Sequence, residues 1–288
     1  MRFAVIAKCA SLWPLSWLCA TLGVTRGGYY AWRLRPQSER SKLDTHLTAA
    51  IRTSFAESDQ TYGSRRVYRD LRAWGHRCGR HRVERLMRRA KLVARARRRR
   101  LPFDMGVRPE HSIASNVLDR QFAASTMNQK WVADFTYLWT EEGWLYVAVV
   151  MDLFSRRIVG WSMSSQMTAQ FVTDAMLMAI WRRGPSTALL AHSDQGSQYT
   201  SEQFQRLLKE HGVTCSMSRS GDVWDNAAME SFFSSLKTER TSRKIYETRD
   251  QARADVFDYI ERFYNPRRRH STLGYLSPIQ YEKSAGLA

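Results

Sequence analysis

A chain of 288 residues has room for one sizeable domain and one or two small ones, and a 43% hydrophobic content excludes disordered and collagen-like classes. Its net charge of +18 is carried by the first third: residues 1–100 hold 24 Lys and Arg against 6 Asp and Glu, residues 101–288 hold 21 of each. Four cysteines (Cys9, Cys19, Cys78, Cys215) without CxxC spacing speak against a disulfide scaffold, and no apolar run reaches the ~18 residues that a membrane helix needs. The chain reads as soluble and cytoplasmic.

The N-terminal surplus is mostly arginine, 21 Arg to 3 Lys in residues 1–100. Arginine binds phosphate bidentately, and neutralising phosphates releases counterions, so the surplus points to a nucleic acid. A solvated basic face is the alternative. Met1 to Val24 is apolar enough to suggest a signal peptide, but Lys8 and Pro14 interrupt it and no small-residue cleavage site closes it.

Within residues 12–35, Leu15, Leu18, Cys19 and Leu22 recur at helical spacing. Gly23-Val24 makes a turn, and Thr25 can cap a second helix carrying Tyr29, Tyr30 and Trp32. This is the outline of a helix-turn-helix, or of a plain helical hairpin. A second pair occupies residues 62–94. Ser64 to Trp74 sets Val67, Leu71 and Trp74 on one face, with Arg65, Arg66, Arg69 and Arg72 outside, and Gly75 ends it. Arg80 to Leu92 repeats the pattern with Val83, Leu86, Met87 and Leu92 against Arg82, Arg85, Arg88 and Arg89. These arginines, and the basic run with Arg97, Arg98, Arg99 and Arg100 before Pro102, are candidate DNA contacts. His76, Cys78 and His81 lack a second ligand pair at zinc spacing.

From about Asn128 the texture changes. Lys130 to Trp139, Trp144 to Asp152 and Arg156 to Met163 read as three antiparallel strands, the first two joined at Glu141-Glu142-Gly143. A helix over Thr168–Arg182, a strand over Ala188–His192, a helix over Ser201–His211, a strand over Val213–Met217 and a helix from Asp225-Asn226 to Lys237 complete a mixed α/β layout around one sheet. The catalytic part is taken as residues 121–285 and the basic helical part as residues 1–100.

Three acids hold suggestive places. Asp134 lies inside the first strand, where an unpaired charge costs several kcal/mol. Asp194 follows the fourth strand, at the end where α/β sheets bind ligands. Glu230 shares a helix face with Asn226, Phe233 and Lys237, and Lys237 lies about 10 Å further along. Such a set suits a carboxylate holding a metal while a cation holds a phosphate, and Asn226 and Lys237 are candidate DNA contacts on this face. Hard divalent ions take oxygen ligands, and two of them side by side can drive phosphoryl transfer without a Ser or Cys nucleophile. Helix capping or surface charge is the competing account for each acid alone. Asp152, at the end of the second strand, is explained by capping or by Arg156.

The segments around Asp134, His192-Ser193-Asp194-Gln195-Gly196-Ser197-Gln198-Tyr199 and Asp225-Asn226-Ala227-Ala228-Met229-Glu230-Ser231-Phe232-Phe233 resemble the DDE core of retroviral-type integrases and bacterial insertion-sequence transposases. Thirty-five residues separate Asp194 from Glu230, and Lys237 stands seven beyond Glu230. The tail Tyr264-Asn265-Pro266-Arg267-Arg268-Arg269-His270-Ser271-Thr272-Leu273-Gly274-Tyr275 looks like the closing motif of the OrfB product of the insertion-sequence-three family. The resemblance covers nearly the whole chain and implies an RNase H-like fold, a five-stranded mixed sheet flanked by helices. It implies Mg²⁺- or Mn²⁺-dependent cleavage of a transposon end, with two ions, followed by attack of the freed 3′-hydroxyl on target DNA. Asp134, Asp194 and Glu230 match the catalytic and metal-holding triad, and Lys237 matches a residue that holds terminal phosphates. It further implies a homo-oligomer on DNA, a place at the bacterial nucleoid, and an upstream OrfA segment, as fusion or partner, since the chain has no sustained heptads. A DNA-binding regulator with an inert core and a purely hydrolytic nuclease are the rival functions.

Overall fold

The computed structural model describes residues 2–35, 38–95, 114–119, 121–184, 188–218, 226–242 and 244–286. It divides into two compact units, Met1–Ile51 and Arg52–Ala288. Arg97, Arg98, Arg99 and Arg100, and the Asp225 expected to cap a helix, lie outside the described residues.

The first unit packs helices α1 (Arg2–Cys9), α2 (Leu15–Thr21) and α3 (Arg26–Leu34) around Ile6, Cys19 and Tyr29, with Phe3, Leu15, Leu18, Leu22 and Val24 beside them. The Thr25 hydroxyl accepts the Gly28 N–H at 3.1 Å, as expected of an N-cap. The apolar start of the chain is thus a packed helix preceding the expected pair. A long helix, α4 (Glu39–Glu57), begins in this unit and ends in the second.

The second unit opens with the end of α4, then α5 (Ser64–Ala73) and α6 (Arg80–Arg89), which pack on each other through Val67, Leu71, Val83, Leu86 and Met87. Trp74 departs from expectation. It is the C-cap of α5 and lies exposed, because the helix has already ended beneath it.

The five-stranded sheet has the order β3-β2-β1-β4-β5, with β1 (Lys130–Thr140), β2 (Gly143–Asp152) and β3 (Ile158–Ser164) antiparallel and β4 (Leu190–Ser193) and β5 (Thr214–Met217) added parallel to β1. Gly143 turns the β1–β2 hairpin at φ +103, a conformation that only glycine takes without strain. On one face lie α7 (Ala169–Arg183) and α8 (Glu202–Glu210), burying Phe171, Met176, Phe204 and Leu208 against Trp131, Ala133, Ala148 and Val150. Gly160 is what lets α7 approach β3, since a Cβ there would lie 2.1 Å from the Ala175 carbonyl oxygen. The other face receives α9 (Ala227–Leu236) and α10 (Arg249–Asp258), each continued by a π-helical segment, Lys237–Thr241 and Tyr259–Tyr264. A 3₁₀ turn and α11 (Pro278–Ser284) end the unit. No helix among the described residues is long and apolar enough to cross a membrane.

Candidate active site

The sheet register brings the two aspartates level. Lys130, Trp131 and Val132 of β1 pair in parallel with Leu190, Ala191 and His192 of β4. Two residues further along each chain stand Asp134, within β1, and Asp194, just past the C-terminal end of β4, the end where such sheets bind ligands. Asp134 Oδ1 accepts the Phe135 N–H at 2.7 Å, and Asp194 Oδ1 accepts the Gly196 N–H at 2.9 Å. A Cβ on Gly196 would meet that same Asp194 oxygen at 2.9 Å, so the turn is cut to fit the carboxylate. Glu230 comes from α9, which crosses β1, and its side chain is exposed.

The electrostatics tie the three together. Burial, then the charge of Asp194, push the Asp134 carboxyl well above the ordinary carboxylate range; Glu230 adds to this, and the Phe135 N–H and Lys237 oppose it. Burial also raises the Glu230 carboxyl and lowers the Lys237 ammonium, the latter opposed by Asp134. Carboxylates near enough for two of them to raise the cost of charge on Asp134 offer the oxygen chemistry that hard divalent cations take. As the side chains lie, no three acids or imidazoles among the described residues converge closely enough to grip one ion. Asp134 and Asp194 are brought level by the sheet, and the Glu230 side chain lies exposed on α9.

Neighbouring residues fix this frame. The Asn226 amide donates to the Ala133 carbonyl at 3.3 Å, buried, and so pins the start of α9 one residue before Asp134. The DNA contact expected of Asn226 is therefore replaced by a structural one, its amide facing β1. Lys237 sits where α9 turns into its π-helical segment, with Nζ 5.4 Å from the Tyr137 ring centre. Tyr199 is a residue that sequence reasoning does not single out. Its hydroxyl is buried without a hydrogen-bond partner, packed by Phe135 and Phe204, and feels the charges of both Asp134 and Asp194. Its place in the motif after Asp194 is visible in the sequence, but nothing in the spacing shows that the ring folds back.

Two buried ion networks hold the site's supports. Glu239 takes a bidentate grip from Arg268 (2.7 Å from Nε and 2.7 Å from the terminal nitrogen), a hydrogen bond from the Tyr259 hydroxyl at 2.8 Å, and Arg66 at 3.7 Å. Burial works against its charge, yet the Arg268 and Arg66 contacts hold the carboxyl below its usual range. Asp152 is fully buried, accepts the Asn128 and Phe154 N–H groups at 2.9 Å each, and lies 3.7 Å from Arg183. Arg183 also pairs with Glu282 of α11, which holds Arg157 and Ser155 as well. Asp152 is therefore a structural acid, held by backbone and Arg183 rather than by Arg156.

The candidate DNA arginines divide. Arg65, Arg85, Arg88 and Arg89 are exposed, with Arg88 3.3 Å from Glu84; Arg69 stacks over Tyr275 at 4.8 Å, and Arg82 is half-buried. Arg66, drawn to Glu239 and desolvated, serves the interior.

Comparison with known proteins agrees with this architecture. Two family models described as integrase core domain match residues 124–223 and 230–285, and one described as HTH-like domain matches residues 42–100. The transposase InsF of insertion sequence IS3A from Escherichia coli (strain K12) is 42% identical over 286 residues, 98% of each chain. The 31 kDa protein of insertion element IS600 from Shigella sonnei is 38% identical over 268 residues, 92% of this chain and 97% of the other. Among solved structures, the catalytic core domain of BIV integrase aligns at 22% identity with a TM-score of 0.41, over 55% of this chain and 97% of that one. With a relative of this identity matched along almost its full length, the chain belongs to the insertion-sequence-three family of transposases, DDE polynucleotidyl transferases that act in DNA transposition.

Proposed function

We propose that Asp134, Asp194 and Glu230 are the metal-holding catalytic triad of this transposase, and that they hold two Mg²⁺ or Mn²⁺ ions. The observation that carries this reading is the level placement of Asp134, within β1, and Asp194, just past the end of the neighbouring β4, with Asp134 under pressure from both other acids. When bound, the ions supply activation of the attacking oxygen and stabilisation of the leaving one. The protein's own part is placement. The Gly196 turn sets the Asp194 carboxylate, Asn226 sets α9 against β1, and Lys237 presents an ammonium to the phosphate beside the triad. The nucleophile is water in end cleavage and the released 3′-hydroxyl in strand transfer. No side chain forms a covalent bond to DNA.

The basic residues 1–100 are the DNA-binding part in this reading, and residues 121–285 the catalytic part. Arg65, Arg69, Arg85, Arg88 and Arg89 are the exposed candidates on α5 and α6. Joining two DNA segments calls for a homo-oligomer on DNA, alone or with an upstream OrfA product. A labelled transposon-end duplex, a target plasmid and Mg²⁺ test the function: joined products support it. Fragments without joining indicate a hydrolytic nuclease, and binding without cleavage a regulator.

The footprint has its own test. Replacing Arg85, Arg88 and Arg89 together by Gln is expected to flatten the slope of log affinity against log salt by ~0.9 for each phosphate that is no longer neutralised. An unchanged slope places the footprint elsewhere. Point variants are preferable to deleting the segment, because Tyr62, Arg66 and Asp70 are bonded to Arg267, Glu239 and Arg269 of the core.

A further inference from the structure

The β1–β2 hairpin leaves three large aromatic rings in solvent: Tyr137 is 54% exposed, Trp139 60% and Trp144 43%. They are not scattered. Trp144 packs edge-on against both neighbours, 5.0 Å from Tyr137 and 4.8 Å from Trp139 between ring centres. Tyr137 and Trp139 are alternate residues of β1, and Trp144 sits across from Trp139 in the antiparallel register, so the rings form one ladder on one face. Along this stretch β1 pairs with β2 alone, since its pairing with β4 ends at Val132.

A stack of this size normally finds cover in the interior or in a partner. Its position indicates which partner. The ladder begins three residues beyond Asp134, on the other face of β1, and the link between them is Lys237, which stands over the Tyr137 ring and whose charge reaches Asp134, joining the aromatic run to the cation assigned above to a phosphate. At its far end are two acids, Glu141 and Glu142, which repel phosphates from the hairpin tip. The tip is braced from behind. The Arg249 guanidinium donates to the Glu142 and Trp144 carbonyls at 2.5 and 3.1 Å, and the Arg249 N–H donates to the Glu142 carboxylate at 2.8 Å. A rigid row of ring faces, cationic where it meets the triad and acidic at its tip, suits the uncharged faces of nucleobases and disfavours a backbone laid along it. Bases present their faces only when unpaired.

Resting on the triad reading, we infer that Tyr137, Trp144 and Trp139 form a stacking platform for unpaired bases at the end of the DNA strand whose terminal phosphate lies beside Lys237. The chain would thus bind a frayed DNA end in preference to a closed one, and the ladder would hold the displaced bases while the phosphate is at the carboxylates.

The test compares two probes on the full chain: a blunt duplex, and the same duplex ending in a short fork of unpaired bases containing 2-aminopurine. The wild-type protein should favour the fork and quench its fluorescence. Trp139→Ala and Trp144→Ala should each weaken fork binding about tenfold, the scale of one base–aromatic stack, with blunt-duplex affinity unchanged. Trp139→Phe should retain most of the preference. Equal loss on both probes, or no loss on the fork, overturns the proposal. So does a change in oligomeric state of Trp139→Ala without a change in fork binding, which would make the ladder a subunit contact. Asp194→Asn separates the two readings: it should keep the fork preference while losing joined product. Joining by Asp194→Asn defeats the triad assignment and leaves the ladder to be judged on binding alone.

Discussion

Asparagine in place of Asp194 is expected to lower strand transfer by on the order of 10³-fold or more, while duplex affinity changes by less than about twofold. The amide keeps the size and the hydrogen bond from the Gly196 N–H, but it gives up the charge proposed above to hold a cation. A second readout follows from the crowding of the acids. Without metal, Asp194→Asn should melt higher than the wild type, because it removes a like charge that presses on Asp134. With saturating Mg²⁺ the order should reverse, since only the wild type gains stability from binding. Thermal scans with and without Mg²⁺, beside a joining assay, check both. Wild-type joining by the variant, or an identical Mg²⁺ response, would remove Asp194 from the site. This trade of stability for a charged cluster is what a functional site looks like from the thermodynamic side.

Replacing Arg268 by Met should cost about 3–5 kcal/mol, among the largest losses available to any single side chain here. The methionine fills much of the volume, but Glu239 is left buried with its bidentate partner gone, holding only the Tyr259 hydroxyl and Arg66 at 3.7 Å against its charge. Glu239 lies nine residues beyond Glu230 on the same continuous helical run. Loosening it therefore also loosens the frame of α9. The double variant Arg268→Met with Glu239→Leu should recover most of the lost stability, because no buried charge remains uncompensated. Denaturant melts of the two single variants and the double one decide the matter. A loss below about 1 kcal/mol for Arg268→Met would mean that the pair is solvated in practice.

Much of this site is legible in the sequence, for reasons that differ by residue. Asp134 stands out because a charge within a Val-, Trp- and Tyr-rich strand is itself anomalous. Asp194 stands out from its place after a short apolar strand. Glu230 needs its helical face with Asn226 and Lys237, and also the motif resemblance. The strands of the hairpin are visible through the Glu141-Glu142-Gly143 turn, and the ends of β1 and β2 fall within a residue of the expected ones. What stays hidden is long-range. The Glu239–Arg268 contact spans 29 residues, and that of Arg269 with Asp70 spans 199, which no local periodicity reports. Arg66 looks like its exposed neighbours because one turn of a basic helix does not reveal which arginine meets a carboxylate. The helices α4, α10 and α11 go unread although Leu47, Ile51 and Phe55 recur at four-residue spacing in α4. The π-helical segments after α9 and α10 could not be foreseen, since five or six residues are too few for a change of period to show in the apolar spacing.

The stretch from Asn265 to Glu282 is made after α5, the sheet and α7, and it fastens all of them. The Asn265 side chain bonds both the N–H and the carbonyl of Ile158 at 2.9 Å, on the sheet's outer strand. Arg269 reaches Asp70 of α5 at 2.6 Å, and Glu282 gathers Arg157 and Arg183. A segment that leaves the ribosome after them thus buckles α5, the sheet and α7 together. A copy cut short by a frameshift or a stop codon before this segment would carry all three carboxylates and yet lack the fastening that keeps them in register. Synthesis through the closing motif thus comes before the frame of the three carboxylates can be fastened.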